Sequence, residues 1–215
     1  MSMVVRYGRR AALGKAALGF AVLPALAQTP ARVLMLGDSI TAGYGLPPGQ
    51  GLVPRLQAAL VAAGRPVRLL DAGVSGDTTA GGLARVEWSL AENPQAAVVA
   101  LGGNDGLRAL PPAASRANLA GILDRLAARR IPTLLAGMLA PPNLGGDYGR
   151  EFAAIYSSLA AERPGLIFYP FLLEGVAGDR GLNQPDGIHP NPAGVAELVR
   201  RLLPVTQSLL DRIGQ

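Results

Sequence analysis

The sequence predicts one α/β domain in three layers, with a mostly parallel sheet of about five strands between two sets of helices. Three observations predict it. Short apolar runs alternate with longer segments whose apolar residues recur at helical spacing. Some runs, such as Ala97-Val98-Val99-Ala100-Leu101, are apolar at every position, as a strand is when helices cover both faces of its sheet. No internal repeat, long linker or change of composition divides the 215 residues, and with 49% hydrophobic and 16% charged side chains they suffice for one sizeable core.

Val33-Leu34-Met35-Leu36 reads as the first buried strand, and residues 51–63 as the first helix, with Leu52, Leu56, Leu60 and Ala63 on one face. Val67-Arg68-Leu69-Leu70 is the second strand. Residues 79–91 form the next helix, which Asn93-Pro94 ends because the residue before a proline is driven away from helical conformation. Ala97 to Leu101 is the third strand. After the Pro111-Pro112 break, residues 113–130 place Leu119, Ile122, Leu123 and Leu126 at helical spacing and finish on Arg129-Arg130, whose charge complements the negative helix end. Thr133 to Ala136 is strand four, residues 150–162 the helix after it, and Gly165 to Phe168 strand five. The last 24 residues are expected to be helical with a break at Pro204. Leu139 to Gly149, with two Pro and three Gly in eleven residues, is expected to be the least ordered stretch, at the end of the sheet where a ligand would lie.

The formal charge of +5 is unevenly held. Residues 1–27 carry Arg6, Arg9, Arg10 and Lys15 and no acid, while the other 188 residues hold 16 Arg against 15 Asp and Glu. A body so close to neutral, with no run of arginines, has no electrostatic footprint for nucleic acid. The basic start, the apolar residues 11–23 and the Ala25-Leu26-Ala27 site read as a secretory signal cleaved after Ala27, which leaves 28–215 as a mature domain in the periplasm or the medium. Arg9-Arg10 resembles a twin-arginine export signal, but the usual flanking residues are missing and the general secretory route stays open. An uncleaved anchor or a solvated amphipathic helix is the alternative. No apolar run reaches the roughly 18 residues of an ordinary membrane span, so no stable span is expected after cleavage. Without Cys the chain has no disulfide framework, thiolate metal site or cysteine-protease chemistry.

Ligands of a doubly wound sheet meet the chain beyond the carboxyl ends of its strands, and four blocks fall at such places. Gly37-Asp38-Ser39-Ile40-Thr41 follows strand one, where Ser39 is either an exposed nucleophile or a helix cap. Gly73-Val74-Ser75-Gly76-Asp77-Thr78 follows strand two and exposes backbone amides, for an oxyanion or simply for a tight bend. Gly102-Gly103-Asn104-Asp105 follows strand three, with Asn104 a donor or a turn residue. The last block, Asp186-Gly187-Ile188-His189-Pro190, holds the single histidine, and imidazole is the side chain that exchanges a proton most readily near neutrality. Asp186 can reach it by curling through Gly187. A structural histidine is the competing reading. One His without any Cys leaves a zinc or iron site to carboxylates, so no metal is expected. Gly-x-Ser-x-Gly, a P-loop and a Gly-x-Gly-x-x-Gly at the first helix are all absent, which removes the α/β-hydrolase elbow and the usual nucleotide sites.

In this order the blocks resemble those of the SGNH, or GDSL, hydrolases, in particular the bacterial thioesterase, protease and lysophospholipase enzymes and their arylesterase relatives. The resemblance rests on Gly37-Asp38-Ser39 followed by Thr41, Gly43 and Tyr44, on Ser75 to Thr78, on Leu101 to Arg108, and on Asp186 to Asn191, and it covers residues 32–203. It implies the flavodoxin-like SGNH-hydrolase fold for residues 28–215 and acyl transfer to water without a cofactor. Ser39 is implied as nucleophile, His189 as general base and acid, and Asp186 as its orienter. The Ser39 amide, the Gly76 amide and the Asn104 side chain are implied as oxyanion donors. Met138 to Tyr148 resembles the family's flexible substrate loop, in which Leu139, Leu144 and Tyr148 are expected to form one apolar wall of an acyl groove.

The expected function is therefore an arylesterase-like serine esterase acting on small-molecule acyl esters of about four to eight carbons. Hydrolysis of acyl-CoA thioesters or lysophospholipids and deacetylation of carbohydrates are alternatives within enzymes. A non-catalytic binding module on the same fold is an alternative of another class, and it would suit a chain that had lost Ser39 or His189. The mature segment contains no Lys, which gives little support to a site for the phosphates of CoA.

Overall fold

The structure, a computed structural model, describes residues 1–3 and 30–214. Beyond its first three residues, the expected signal of residues 1–27 lies outside the described residues. Strand β1 (Ala31–Gly37) sits between β2 (Val67–Gly73) and β3 (Ala96–Ala100), and β4 (Thr133–Ala136) and β5 (Ile167–Tyr169) continue the sheet on the β3 side. Every pairing is parallel, with Met35 opposite Asp71 on one side and Val98 on the other. The order β2-β1-β3-β4-β5 is the flavodoxin-like one, whose winding reverses between β1 and β3 and opens a crevice at the carboxyl ends of those two strands.

The helices are α1 (Ser39–Ala42), α2 (Leu52–Ala62), α3 (Thr79–Ser89), α4 (Gly103–Leu107), α5 (Pro112–Ala128), α6 (Gly146–Ala161) and α7 (Pro192–Leu210). On one side of the sheet α2 packs with α7, and on the other α5 packs between α3 and α6. The expected apolar stripe of α5 is real: Leu119, Ile122, Leu123 and Leu126 are all buried. Truncating such a leucine to alanine typically costs about 2–5 kcal/mol, since the lost contacts leave a cavity. No helix among the described residues is long and apolar enough to cross a membrane.

Three expectations are corrected. Helix α7 runs unbroken through Pro204. The carbonyl that loses its partner belongs to Arg200, and both residues are exposed, so water can satisfy it, while Leu202, Thr206 and Leu209 anchor the turn on either side. Helix α6 starts at Gly146, so the latter part of the glycine-rich stretch is ordered into its first turn. Tyr148 fastens that turn by donating its hydroxyl to the Leu110 carbonyl at 2.8 Å and stacking on Phe152 one turn later. The short helix α4 stands where the block after strand three reads only as a turn, while α1 opens at Ser39, where a helix start is one of the two readings.

Candidate active site

Asp38 caps α1, its Oδ1 accepting from the Ile40 amide at 3.0 Å, and this fixes Ser39 as the first helical residue at the carboxyl end of β1. The first amides of a helix have no partner within it, and Ser39 presents one. Burial pushes the Asp38 carboxyl from its ordinary 3.8 up to about 6, against the lowering influence of the Ile40 amide and His189. After β2, the Val74–Asp77 turn is closed by the Asp77 amide on the Val74 carbonyl, with Gly76 at φ 81, a conformation that disfavours any side chain. Neither the Ser39 nor the Gly76 amide donates to another group among the described residues.

Asn104 lies in α4, directly after β3. Its Nδ2 donates to the Asp77 carbonyl at 2.9 Å, which fixes the amide plane and leaves a second N–H free to serve a ligand. The next residue, Asp105, is buried and accepts from the Thr79 amide at 2.9 Å, the Thr79 hydroxyl at 2.5 Å and the Ser115 hydroxyl at 2.8 Å, pinning α4 to α3 and α5. Gly102 turns the chain at φ 117, and a Cβ there would strike the Tyr156 hydroxyl that binds the Leu101 carbonyl.

The Asp186–His189 turn comes from the loop before α7 and reaches back over β1. Asp186 Oδ1 accepts from the Ile188 and His189 amides, each at 3.0 Å, and its Oδ2 lies 2.7 Å from His189 Nδ1. Partial burial works upward on that carboxyl, but the bonds from the His189 amide and imidazole and the Ile188 amide outweigh it and hold the group down to about 2. His189 Nε2 is 2.9 Å from Ser39 Oγ. With the Nδ1 proton donated to Asp186, Nε2 is the acceptor of the Ser39 hydroxyl proton, the arrangement that lets an oxygen attack a carbonyl. The Tyr44 ring packs on the imidazole with centroids 4.6 Å apart, and Gln184 ties the two loops by donating to the Tyr44 and Pro190 carbonyls at 2.8 and 3.0 Å.

Ser39, Gly76, Asn104 and His189 all line one cavity of about 650 Å³ across the carboxyl edge of the sheet. Met138 and Leu139 of the expected substrate loop line it, but Leu144 and Tyr148 do not. Formation of α6 turns Tyr148 toward Leu110 and Phe152 instead. Ala140, Pro141 and Pro142 of the same loop also line the cavity, and further apolar wall comes from Ile40, Tyr44, Leu107, Phe171, Leu173 and Ile188, none of which the sequence singled out as wall residues. Two signals were available: Leu107 and Ile188 are large apolar residues inside polar turns, and Phe171 and Leu173 lie just beyond strand five. No Lys or Arg among the described residues lines the cavity. Among the described residues no three His, Asp or Glu side chains gather as a metal-binding set.

Comparison with known proteins places the fold and the chain in a family. The model of the GDSL-like lipase/acylhydrolase family matches residues 35–196. Esterase TesA of Pseudomonas aeruginosa is 44% identical over 188 residues, covering 86% of this chain and 91% of that protein. The arylesterase of Vibrio mimicus is 35% identical over 188 residues, covering 86% of this chain and 94% of its own. Among solved structures, the crystal structure of TesA superposes with a TM-score of 0.79 at 42% identity, covering 83% of this chain and 99% of that one. With a parallel five-stranded sheet, a hydroxyl aligned on an imidazole and a family match over most of its length, the chain belongs to the GDSL-like lipase/acylhydrolase family and is an ester hydrolase.

Proposed function

We propose that this enzyme hydrolyses short- to medium-chain acyl esters with apolar, aryl-type leaving groups by an acyl-enzyme mechanism. His189 Nε2 takes the Ser39 proton as Oγ attacks the ester carbonyl, and Asp186 stabilises the imidazolium that forms. The Ser39 amide, the Gly76 amide and the free N–H of Asn104 receive the oxyanion, each such donor being worth about 3 kcal/mol in the transition state. His189 then protonates the departing oxygen, and water repeats the cycle to release the acid. The observation that carries the substrate reading is the cavity wall: it is apolar on most sides, no Lys or Arg among the described residues lines it, and the Arg108 guanidinium beside it is bonded to the Gly76 carbonyl at 2.9 Å. Octanoyl-nitrophenol should therefore have a higher kcat/KM than octanoyl-CoA under matched conditions. The reverse order would favour the thioesterase alternative.

We further propose export, with residues 1–27 removed as a signal. The support is the basic, apolar and Ala25-Leu26-Ala27 sequence and the near-neutral remainder.

A further inference from the structure

Arg85, on the second turn of α3, makes two contacts of different kinds. Its Nε donates to Asp77 Oδ2 at 2.7 Å and its Nη2 to the Gly37 carbonyl at 2.9 Å. The two side chains are 19% and 11% exposed, and no other ion pair among the described residues has both partners below one fifth. Gly37 is the last residue of β1, two before Ser39. Asp77 follows Gly76, and its own carbonyl is the acceptor that holds the Asn104 amide. One guanidinium thus joins the strand end that presents the Ser39 amide to the turn that presents the Gly76 amide, and Asp77 passes the constraint on to Asn104.

We propose that Arg85 is a positioning residue for the oxyanion hole, setting the mutual placement of its three donors without touching the substrate. The inference rests on the donor assignment given under the proposed function. The planar guanidinium suits the task because its donors have a fixed geometry, so both acceptors are held in one relation that a lysine ammonium, a single point on a flexible stem, does not impose. Gly37 also accepts from the Val74 amide at 3.1 Å, so loss of Arg85 would leave the two loops hinged on one backbone bond there. Displacements of about 1 Å in a reacting geometry cost up to about a hundredfold in rate.

The test is a double-mutant cycle on a nitrophenyl ester. Arg85→Met is expected to lower kcat by about tenfold or more with KM within about twofold, because the donors act on the transition state more than on the bound ester. Asn104→Ala alone should lower kcat by about a hundredfold or more. Added to it, Arg85→Met should cost less than about threefold further, since the hole it aligns is already broken. Arg85→Lys, which keeps the charge, should recover part of the loss. An Arg85→Met enzyme within about threefold of wild-type kcat overturns the proposal, and so does a loss repeated in full on the Asn104→Ala background, as a general structural role would give. If Arg85→Met does not fold, Asp77→Asn is held to the same two criteria. An unimpaired Asn104→Ala would defeat the donor assignment and the brace with it, whereas an impaired Asn104→Ala beside an unimpaired Arg85→Met defeats the brace alone.

Discussion

Replacing Asp38 by asparagine should stabilise the protein, and the gain should depend on pH. Asp38 is 2% exposed and burial pushes its carboxyl from 3.8 up to about 6. Between those values the native state binds the proton more tightly than the unfolded chain, so stability falls as pH rises through the interval. Above it the buried carboxylate costs the whole difference, about 3 kcal/mol at roughly 1.4 kcal/mol per pH unit. Asparagine has nearly the same shape and keeps an oxygen for the Ile40 amide, so the cap of α1 survives while the charge is removed. Urea unfolding of both proteins from pH 4 to 8 measures the effect, and titrating groups that do not couple to Asp38 cancel in the difference. Asp38→Asn should be more stable by about 2–3 kcal/mol at pH 8, which moves the midpoint by about 1 M, and by only about 0.5 kcal/mol at pH 4. No gain at pH 8, or the same gain at both ends, would refute the reasoning. The penalty is located beside Ser39, where a stable protein carries a group that the fold alone would exclude.

Ser39→Ala and His189→Ala should each lower kcat by at least about a thousandfold with little change in Tm, and the double variant should be no worse than the single ones; a Ser39→Ala enzyme keeping a tenth of its turnover would remove the residue from the nucleophile role. Intact mass of the protein recovered from its native host should lack residues 1–27, and retention of Met1 on most molecules would defeat the export reading.

The strands and the long helices were legible in the sequence because periodicity is a local property. Runs such as Ala96 to Ala100 can be buried on both faces only in a covered parallel sheet, and the stripe of Leu119, Ile122 and Leu126 has one helical face to hide. Ser39, Gly76, Asn104 and His189 stood out as candidates for a different reason: each stands in a turn after a strand or in a glycine-bounded block, the kind of place where functional side chains concentrate. The boundaries were less legible. Gly145, Gly146 and Gly149 read as a loop, and it took Tyr148 meeting Leu110, 38 residues away, to make helix of their neighbours. Pro204 reads as a break, but which side of the helix it faces depends on the packing of α7 against α2.

What the sequence by itself determined is the fold class and the set of candidate reacting groups, since both follow from residue types and their spacing along the chain. Only the tertiary structure decided their relations. Ser39 and His189 are 150 residues apart and become partners at 2.9 Å because the α7 loop returns over β1. The same folding turned Tyr148 out of the cavity and Phe171 into it, buried Asp38 until its proton affinity rose, and set Arg85 between Gly37 and Asp77. Desolvation and the fork of a guanidinium act through space between elements distant in the chain, so no local pattern of residues encodes them.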